Sequence, residues 1–276
     1  MINLSAQQTN YVDFKQADVF LEVNADSSYV KGYVGYVFDI TKPINYLTID
    51  AKNITIFGLA VNRKKIEFDY NGKQIILKTD FVISNDNTLM IYYKTKPNKA
   101  LYFIKRKDNY NIWTQGQGKY TSNWLPSFDD VNEKVKFNIS IIAPYEYQVL
   151  TNGRFLMSST KGNNKEWLYN MEKPMSSYLV ALAIGKYDKK IETSESGIPI
   201  ELYYYPEDSA KVEPTYRYTK QMFDFLEEEI GFGYPWQNYK QVPVHDFLYS
   251  GMENTSLTIF SDAYVVDEIG FNDKNY

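Results

Sequence analysis

The sequence contains no cysteine and only one histidine, His245, among its 276 residues. Without cysteine the chain cannot form disulfides, bind zinc through thiolates or use a thiol as a nucleophile. Zinc hydrolases usually take two or three imidazole ligands, and a Ser-His-Asp site needs at least one well-placed histidine. The two shortages together exclude a conventional histidine-rich or cysteine-rich metal site built from this chain alone.

Long apolar segments are also missing. No stretch approaches the roughly 20 apolar residues that a membrane span needs. The first seven residues, Met1 to Gln7, contain no basic region followed by an apolar run, so the sequence predicts no signal peptide. This pattern fits a cytoplasmic protein and equally an exported, periplasmic protein whose signal has been removed, so the compartment stays open.

The chain carries little excess charge. Its formal net charge is -4 and its pI is near 5.3. Because nucleic-acid-binding proteins present a concentrated basic surface, nucleic acid is not an expected partner. A hydrophobic content of 44% is typical of a globular protein with an ordinary core.

Alternating apolar residues predict β-strands in the first two thirds of the chain. Between Val30 and Ile40, apolar or small residues recur at every second position, as they do on a strand with one buried face. Asn71-Gly72 and Asn152-Gly153 indicate tight turns. Further strands are predicted at residues 89–93, 101–104, 135–142, 148–150 and 178–184. No convincing amphipathic helix precedes residue 188, so the pattern predicts an antiparallel, sandwich-like β domain.

The character of the sequence changes after residue 188. One more strand is predicted at 198–205. Apolar residues then follow at spacings of three and four, which predicts an amphipathic helix over about residues 210–230, with Pro214 in its first turn and Gly231 at its C-terminal cap. Strands follow near 241–244 and 257–260. An α/β region therefore begins close to residue 190.

The segment Tyr249-Ser250-Gly251-Met252-Glu253-Asn254 carries the strongest chemical signal. A fixed carboxylate such as that of Glu253 can pair with a cationic group in a partly desolvated cleft. Gly251 lets a substrate backbone approach closely, and the strand after Asn254 can offer main-chain hydrogen bonds. From the residues alone, an ordinary loop with a solvated carboxylate remains an alternative.

A second segment, Trp113-Thr114-Gln115-Gly116-Gln117, lies far upstream in the predicted β domain. The amide oxygen of Gln117 can accept a hydrogen bond from a cationic donor. The alternative is a glycine-containing turn with two exposed amides. For Gln115 that structural role is preferred.

Other residues receive structural interpretations. Residues 124–134 contain the adjacent carboxylates Asp129 and Asp130, which could serve acid–base chemistry or bind Ca²⁺. Aspartates before a predicted strand more often cap a turn, and we prefer that role. His245 is expected to be packed or hydrogen-bonded rather than a ligand. The many tyrosines and phenylalanines are expected in the core and in cross-strand pairs rather than in a sugar-stacking platform.

The three segments, in this order, resemble motifs of the M1 (gluzincin) family of zinc aminopeptidases. Residues 249–254 resemble its G-x-M-E-N motif, with Ser250 where the family usually has glycine. Residues 114–117 resemble its T-Q-x-E/Q segment, whose fourth side chain, here Gln117, joins the glutamate in holding the substrate amine. Residues 124–134 resemble W-x-P-C-x-D-x-P-x-x-K, with Ser127 in place of the usual cysteine.

The resemblance implies a mainly β fold in two domains. Residues 1–188 are expected to form an N-terminal antiparallel, saddle-like β-sandwich domain. Residues 189–276 are expected to be the incomplete start of an α+β, thermolysin-like catalytic domain. The resemblance also implies a set of substrate-binding residues, and no catalytic or metal-binding residue in this chain; the set is Gln117, Tyr249, Ser250, Gly251, Met252, Glu253 and Asn254.

In this family an H-E-x-x-H helix follows the Met-Glu-Asn strand; its histidines ligate Zn²⁺ and its glutamate activates water. Neither histidine occurs before Tyr276. We therefore expect Zn²⁺ to be the cofactor of a full-length parent aminopeptidase. This chain alone is expected to bind no catalytic zinc and to hydrolyse no aminoacyl anilide, and the reading frame is expected to continue into H-E-x-x-H within about 30 residues.

The expected partners are a peptide with a free N-terminus and the missing C-terminal part of the catalytic domain. Without that part, helix 210–230 and the strand after Gly251 should expose an apolar patch that promotes self-association. The alternative hypothesis is a stand-alone β-sandwich binding or interaction module, for example for carbohydrate, with no catalytic role. It predicts a natural stop codon after Tyr276 and glycan binding through exposed aromatic side chains.

Overall fold

The long strands bury alternate side chains, as the sequence predicts. In a computed structural model, which describes residues 8–107 and 109–273, strand β1 (Val12–Asn24) directs every second side chain into the core on either side of one irregularity between Phe14 and Gln16. Strand β2 (Tyr29–Ile40) follows the same pattern from Val34 onward. Because successive side chains point to opposite faces of a strand, each strand buries one face.

Fourteen further strands follow before residue 187. They are β3 (Leu47–Asp50), β4 (Thr55–Val61), β5 (Lys64–Lys65), β6 (Asp69–Tyr70), β7 (Gln74–Leu77), β8 (Ser84–Thr95), β9 (Leu101–Arg106), β10 (Asn109–Thr114), β11 (Lys134–Pro144), β12 (Gln148–Thr151), β13 (Arg154–Lys161), β14 (Asn164–Asn170), β15 (Met175–Ser176) and β16 (Leu182–Gly185). Short 3-10 helices lie at Gln8–Asn10, Thr121–Asn123 and Ser177–Leu179. Within the described residues up to 187 there is no longer helix, in agreement with the prediction.

These strands form three sheets. The largest has the order β13-β14-β11-β1-β2-β8-β4-β5, with β15 pairing with β11; the others are β12-β16-β10-β9 and β3-β7-β6. The mainly β fold with antiparallel sheets is confirmed, and one pair in these three sheets departs from the antiparallel pattern, because β1 and β11 are parallel. A parallel pair needs a long crossover connection, which the chain between β1 and β11 provides.

The buried faces of all three sheets meet in one apolar core. Phe14 of β1, Tyr36 of β2 and Phe128 of the segment before β11 form a compact aromatic group, with ring centroids 4.3 to 5.4 Å apart. On the opposite face, Phe20 stacks on Tyr33 at 5.4 Å and Tyr33 contacts Tyr92 at 5.8 Å. The expected core and cross-strand aromatic pairs are therefore confirmed.

Both predicted turns are confirmed, and one strand prediction is corrected. Asn71-Gly72 joins the paired strands β6 and β7, as predicted. Asn152-Gly153 is a turn, but it joins β12 of one sheet to β13 of another. The strand predicted at 178–184 begins only at Leu182, because residues 177–179 form a 3-10 turn whose Val180 N–H donates to Ser177.

The remaining strands form a fourth sheet. They are β17 (Asp188–Thr193), β18 (Pro199–Tyr204), β19 (Tyr239–Val244), β20 (Gly251–Met252) and β21 (Thr258–Ser261), in the order β17-β18-β19-β21-β20. The pairs β18–β19 and β19–β21 are parallel, whereas the two outer pairs are antiparallel. This sheet starts at Asp188; the division into domains at residues 188 and 189 stays a prediction.

The helical region is divided. A 3-10 turn at Pro206–Lys211 leads into α1 (Val212–Tyr216), and α2 (Thr219–Ile230) follows after a break; α3 (Glu268–Asp273) comes later. The single helix predicted over 210–230 is therefore wrong in detail. The buried Tyr216 hydroxyl donates to Tyr203 O at 2.6 Å and Arg217 pairs with Glu268 at 2.8 Å, so contacts to other elements hold the chain where the helix breaks. Gly231 caps α2 with φ of 67°, as predicted.

One face of α2 is apolar and exposed. Met222, Phe225, Leu226 and Ile230 are each more than half exposed, whereas Phe223 is buried against the fourth sheet. The predicted exposed patch is confirmed for the helix. It is wrong for the strand after Gly251, because Ile259 is fully buried in the core. Self-association stays a prediction.

Across the described residues, no helix combines the length and apolar character that crossing a membrane requires.

The segment before β11 contains a buried carboxyl group. Glu133 is 4% exposed and accepts a hydrogen bond from Phe14 N at 3.3 Å. Burial raises the pKa of Glu133 to about 7; the Phe14 N–H opposes this rise, and the charges of Asp13 and Asp130 add to it. The folded state therefore retains a proton that the unfolded chain releases at lower pH.

We predict that replacing this carboxyl removes a pH-dependent loss of stability. Because the pKa of Glu133 is higher in the folded state, the free energy of unfolding should fall as pH rises from about 4.5 to about 7, by about 3 kcal/mol in total. Glu133→Gln keeps an acceptor for Phe14 N and should lack this fall. Urea unfolding at pH 5 and pH 8, followed by tryptophan fluorescence, measures the difference.

The exposed carboxylate of Glu229 supplies the matched control. Glu229→Gln should keep the pH dependence of the unmodified chain. Equal pH dependence in Glu133→Gln and the unmodified chain would show that Glu133 is not held protonated.

Candidate functional site

Trp113 and Met252 lie together in a buried cluster that joins the β12-β16-β10-β9 sheet to the fourth sheet. Each is 1% exposed. Trp113 Nε1 donates to His245 O at 2.9 Å, and its ring contacts Phe247 edge-on at 5.0 Å. Since Trp113 directly precedes the Thr-Gln-Gly-Gln segment and Met252 directly precedes Glu253, burying these two side chains brings the two distant motifs together.

Gln115 connects the two motifs from the inside. Its side chain is buried, and its Nε2 lies 3.4 Å from Gln117 Oε1 and 3.9 Å from Met252 Sδ. Its backbone N–H donates to Ala100 O at 2.8 Å. The structural role preferred for Gln115 fits these contacts, although the expectation of an exposed amide is wrong for this residue.

Gln117 and Glu253 line the same cavity, which has a volume of about 340 Å³. Both residues are exposed to solvent. The remaining walls come from residues 118–131 and from Ser177 and Tyr178. A carboxylate and an amide oxygen that open into one cavity can together accept hydrogen bonds from a ligand ammonium.

Close packing fixes the loop that carries Gln117. A Cβ on Gly116 would lie 2.3 Å from Tyr178 O, so this position has room only for glycine. Lys52 Nζ donates to Lys119 O at 2.6 Å and pairs with Asp129 at 2.5 Å. Lys52 is therefore a supporting residue that sequence reasoning missed, because only the folded chain brings the end of β3 beside this loop.

The two adjacent aspartates have different roles. Asp130 Oδ1 accepts from Asn132 N at 2.9 Å and so caps the turn before β11, as predicted. Asp129 instead pairs with Lys52 and accepts from Ser122 Oγ at 2.8 Å, while lining the cavity. Asp129 thus supports the cavity wall.

The other predicted site residues lie around Glu253 without lining this cavity. Tyr249 is 57% exposed, and Ser250 Oγ accepts from Tyr264 Oη at 2.8 Å. Gly251 is exposed and pairs with Phe260 of β21, and Met252 is buried beneath the site. Asn254 is 3% exposed, and its Nδ2 donates to Met252 O at 3.4 Å. Substrate contact by these five residues stays a prediction.

The turn after Glu253 is held by the Asn152-Gly153 turn. Asn152 Nδ2 donates to Thr255 O at 2.6 Å and to Leu179 O at 2.9 Å. Gly153 N donates to Ser256 Oγ at 2.6 Å. The sequence indicates Asn152-Gly153 as a tight turn but gives no sign that it carries these contacts.

A buried lysine lies beneath this contact. Lys240 is 1% exposed, its Nζ donates to Gly153 O, and its backbone N–H donates to Ser256 O at 3.1 Å. With the Asn238 amide turned so that its oxygen faces the amine, that oxygen accepts from Lys240 Nζ at 2.8 Å. Burial lowers the pKa of Lys240 to about 7, with Glu201 opposing this and Lys189 adding to it.

His245 is packed and paired, as expected. Its ring stacks on Tyr205 at 4.2 Å with an interplanar angle of 5°, and its Nδ1 lies 2.6 Å from Asp262 Oδ2. Its backbone N–H donates to Asn111 Oδ1 at 2.9 Å. Among residues 8–107 and 109–273, no three histidine, cysteine, aspartate or glutamate side chains are grouped so that they could hold a metal ion.

Comparisons with known proteins agree with the resemblance seen in the motifs. The model of the peptidase M1 N-terminal domain matches residues 9–179, and that of the peptidase family M1 domain matches residues 215–275. Glutamyl aminopeptidase of Rattus norvegicus is 33% identical over 140 residues, covering 50% of this chain and 15% of that protein. Aminopeptidase 2 of Candida albicans is 26% identical over 256 residues, covering 88% of this chain and 28% of that protein. The chain thus spans less than a third of either relative.

We predict that the tight packing of Gly153 is essential for stability. Its φ is 78°, and an added Cβ would lie 2.2 Å from Asn170 O. Gly162 has a similar φ of 62° but nothing within 4 Å of an added Cβ. Gly162→Ala should therefore cost only the left-handed backbone penalty of about 1–2 kcal/mol. Gly153→Ala should lower the free energy of unfolding by at least about 3 kcal/mol, because it adds a steric clash.

Urea denaturation followed by circular dichroism compares the two alanine variants. Equal losses of stability would show that the turn relaxes away from Asn170, and the tight-packing argument would then fail.

Proposed function

This chain belongs to the peptidase M1 family, and we propose that it supplies the part of a zinc metalloaminopeptidase that recognises the free amine of a peptide. The whole protein would remove single residues from peptide N-termini. The observation that supports this most directly is that Glu253 and Gln117, from motifs on different sheets, line one cavity.

The proposed chemistry of recognition is simple. The α-ammonium of the peptide pairs with the Glu253 carboxylate through a charge-assisted hydrogen bond. A second ammonium proton is accepted by Gln117 Oε1, which keeps a free lone pair while accepting from Gln115 Nε2. Because Gln117 is neutral, the two acceptors do not repel each other, and neither loses its affinity for a cation.

Recognition of the amine fixes the register of the peptide. Gly251 is exposed in β20, two residues before Glu253, and a Cβ there would make only ordinary contacts, 3.5 Å from Ile259 O and 3.8 Å from Phe260 Cβ. A peptide held by its first ammonium and laid along this strand presents its first peptide bond at a constant distance from Glu253. Because the register is fixed in this way, binding selects the peptide bond that follows the terminal residue.

In the M1 family, zinc activates the water that attacks the peptide bond. The donors in the described part of the chain do not fit such an ion, since His245 is committed to Asp262 and Tyr205 and no three donors converge. We propose that the zinc ligands belong to other residues of the whole protein. The role of this chain is then to bind and orient the substrate.

The exposed face of α2 has a role in the same proposal. Met222, Leu226, Ile230 and Phe232 line an apolar groove of about 520 Å³ between α2 and the fourth sheet. This groove lies within the part matched by the M1 peptidase domain. We propose that it packs against further residues of the catalytic domain. The alternative of a carbohydrate-binding module gains no support, because the matched domain models are those of M1 peptidases and the matched relatives are aminopeptidases.

We predict that Glu253 makes binding depend on the free amine. Alanyl-alanine amide should bind roughly tenfold more tightly than its N-acetyl form, because only the free ammonium can pair with the carboxylate. Glu253→Gln should remove this preference, and Gln117→Ala should reduce it. Ligand-observed NMR titration of the 276-residue chain with both peptides measures the ratio of their dissociation constants.

Glu172→Gln, which changes an exposed carboxylate that does not line the cavity, is the control and should keep the preference. If the chain does not distinguish the two peptides, or if Glu253→Gln distinguishes them as well as the unmodified chain does, the proposed amine site is wrong.

We also predict self-association through the exposed face of α2. Sedimentation velocity should show concentration-dependent association, since exposed apolar patches of this kind are covered in stable proteins. Ile230→Lys should weaken it, whereas Val82→Lys, at a residue 71% exposed on the N-terminal part, should not. A monomer at all concentrations that also excludes hydrophobic dyes would contradict this prediction.

A further inference from the structure

We infer that Lys240 is a positioning residue for amine recognition: through Gly153 and Ser256 it sets the place of Glu253 relative to Gln117. The inference rests on the proposed function, because it concerns the same amine site. Lys240 touches neither Gln117 nor Glu253, so it can act only through the residues between them.

Lys240, Gly153 and Ser256 form a closed ring of hydrogen bonds. Lys240 Nζ donates to Gly153 O, and Gly153 N donates to Ser256 Oγ at 2.6 Å. The ring closes through Lys240 N, which donates to Ser256 O at 3.1 Å. Thus a single lysine in β19 binds the Asn152-Gly153 turn through its side chain and the turn after Glu253 through its backbone.

On the Glu253 side, the ring holds a tight turn. Leu257 N donates to Asn254 O at 3.0 Å, which closes the turn directly after Glu253. Ser256 has φ of 60°, in the left-handed region that costs an ordinary residue about 1–2 kcal/mol. Its hydrogen bonds to Gly153 and Lys240 offset that cost. Loosening them lets the backbone of Ser256 relax and displaces Glu253, three residues earlier.

On the Gln117 side, the ring is connected to the loop of the second acceptor. Asn152 Nδ2 donates to Leu179 O at 2.9 Å. The neighbouring Tyr178 O lies against Gly116, so close that a Cβ on Gly116 would approach it to 2.3 Å. Residues 178 and 179 therefore form a short rigid path from the Asn152-Gly153 turn to the Gln117 loop. The ring thereby locates Glu253 relative to that loop.

The identity of the residue supports a positioning role. A buried amine is costly, and an apolar side chain of similar length would fill the same space at lower cost. The charged groups around Lys240 are Glu201, which stabilises its ammonium form, and Lys189, which opposes it. The ring of Tyr169 lies 5.5 Å from Nζ. What a methionine cannot reproduce is the hydrogen bond to Gly153 O.

The test compares Lys240→Met with Lys189→Met. Lys189 is partly exposed and pairs with Glu201 at 2.7 Å, so the control removes a lysine from the same electrostatic environment without touching the ring. In Lys240→Met, Gly153 O still accepts from the reoriented Asn238 amide at 3.0 Å, so the fold should be retained. The measured quantity is the preference for alanyl-alanine amide over its N-acetyl form.

We expect Lys240→Met to reduce this preference roughly threefold, because displacing Glu253 weakens a directed contact without removing it. Lys189→Met should leave it unchanged. Without any ligand, hydrogen exchange at the backbone N–H groups of Gly153 and Leu257 should become faster in Lys240→Met only. Global destabilisation would accelerate exchange throughout the chain and would not change the ratio of the two affinities.

Two further variants separate positioning from a general packing effect. The chain has no cysteine, so Lys240→Cys introduces one thiol. Alkylating it in denaturant with 2-bromoethylamine, a step in which the thiolate displaces bromide and forms a thioether, restores an ammonium of nearly lysine length; refolding should restore the preference. Ser256→Ala breaks the same ring and should reduce the preference as Lys240→Met does. The double variant Lys240→Met/Ser256→Ala should lose no more than the larger single effect.

The outcomes are distinct. If the unmodified chain shows no preference for the free amine, the proposed function fails and the inference fails with it. If the preference is present and Lys240→Met keeps it, the inference alone is overturned. Additive losses in the double variant, or no recovery after alkylation, would likewise show that Lys240 does not act through Gly153 and Ser256. If Lys240→Met does not fold, Ser256→Ala and the alkylated variant decide the matter.

Discussion

The burial of Trp113 and Met252 in one apolar cluster is the constraint on which the geometry of the site depends. Each side chain is almost completely buried in the cluster shared by two sheets. Burying a side chain of this size contributes about 1.5–3 kcal/mol, more than an exposed polar contact gives. Since Gln117 and Glu253 lie only a few residues from this pair, apolar packing determines that the two polar groups open into one cavity. The weaker polar contacts then adjust the final positions of Gln117 and Glu253.

The sequence allowed much of this arrangement to be predicted, because its signals are local or are carried by motifs. The alternation between Val30 and Ile40 predicted the strand that is observed, whereas the Met-Glu-Asn segment pointed to Glu253 as the amine partner, a role that stays a proposal. The parallel pairing of β1 with β11 was not predictable, since nothing local encodes a long-range partner. Lys240 was missed for a related reason. A lysine in a strand normally indicates the solvent face, and only the folded chain shows it beneath Gly153.

Two buried ionisable groups occur where segments distant in sequence meet. Glu133 joins the segment before β11 to Phe14 of β1, and Lys240 joins the fourth sheet to Gly153. Burial raises the pKa of Glu133 and lowers that of Lys240, to about 7 in both cases. The loss of stability due to Glu133 grows as pH rises to about 7. The loss of stability due to Lys240 is reversed only as pH rises above about 7. Near neutral pH both buried groups therefore lower the stability of the fold, while each makes one directed hydrogen bond.

The amine site is divided between two parts of the chain, since Gln117 follows β10 and Glu253 follows β20. In the proposed function, a ligand ammonium that bonds to both acts as a removable cross-link, added to the apolar cluster and the hydrogen bonds of Trp113, Asn152 and Gly153 that already join the two parts. Such a ligand binds only when both sheets are in place, so mass action couples its binding to the docking of one sheet on the other. If the proposed amine site is correct, the substrate contributes to the cooperativity of the fold, and an empty site leaves the two parts freer to separate.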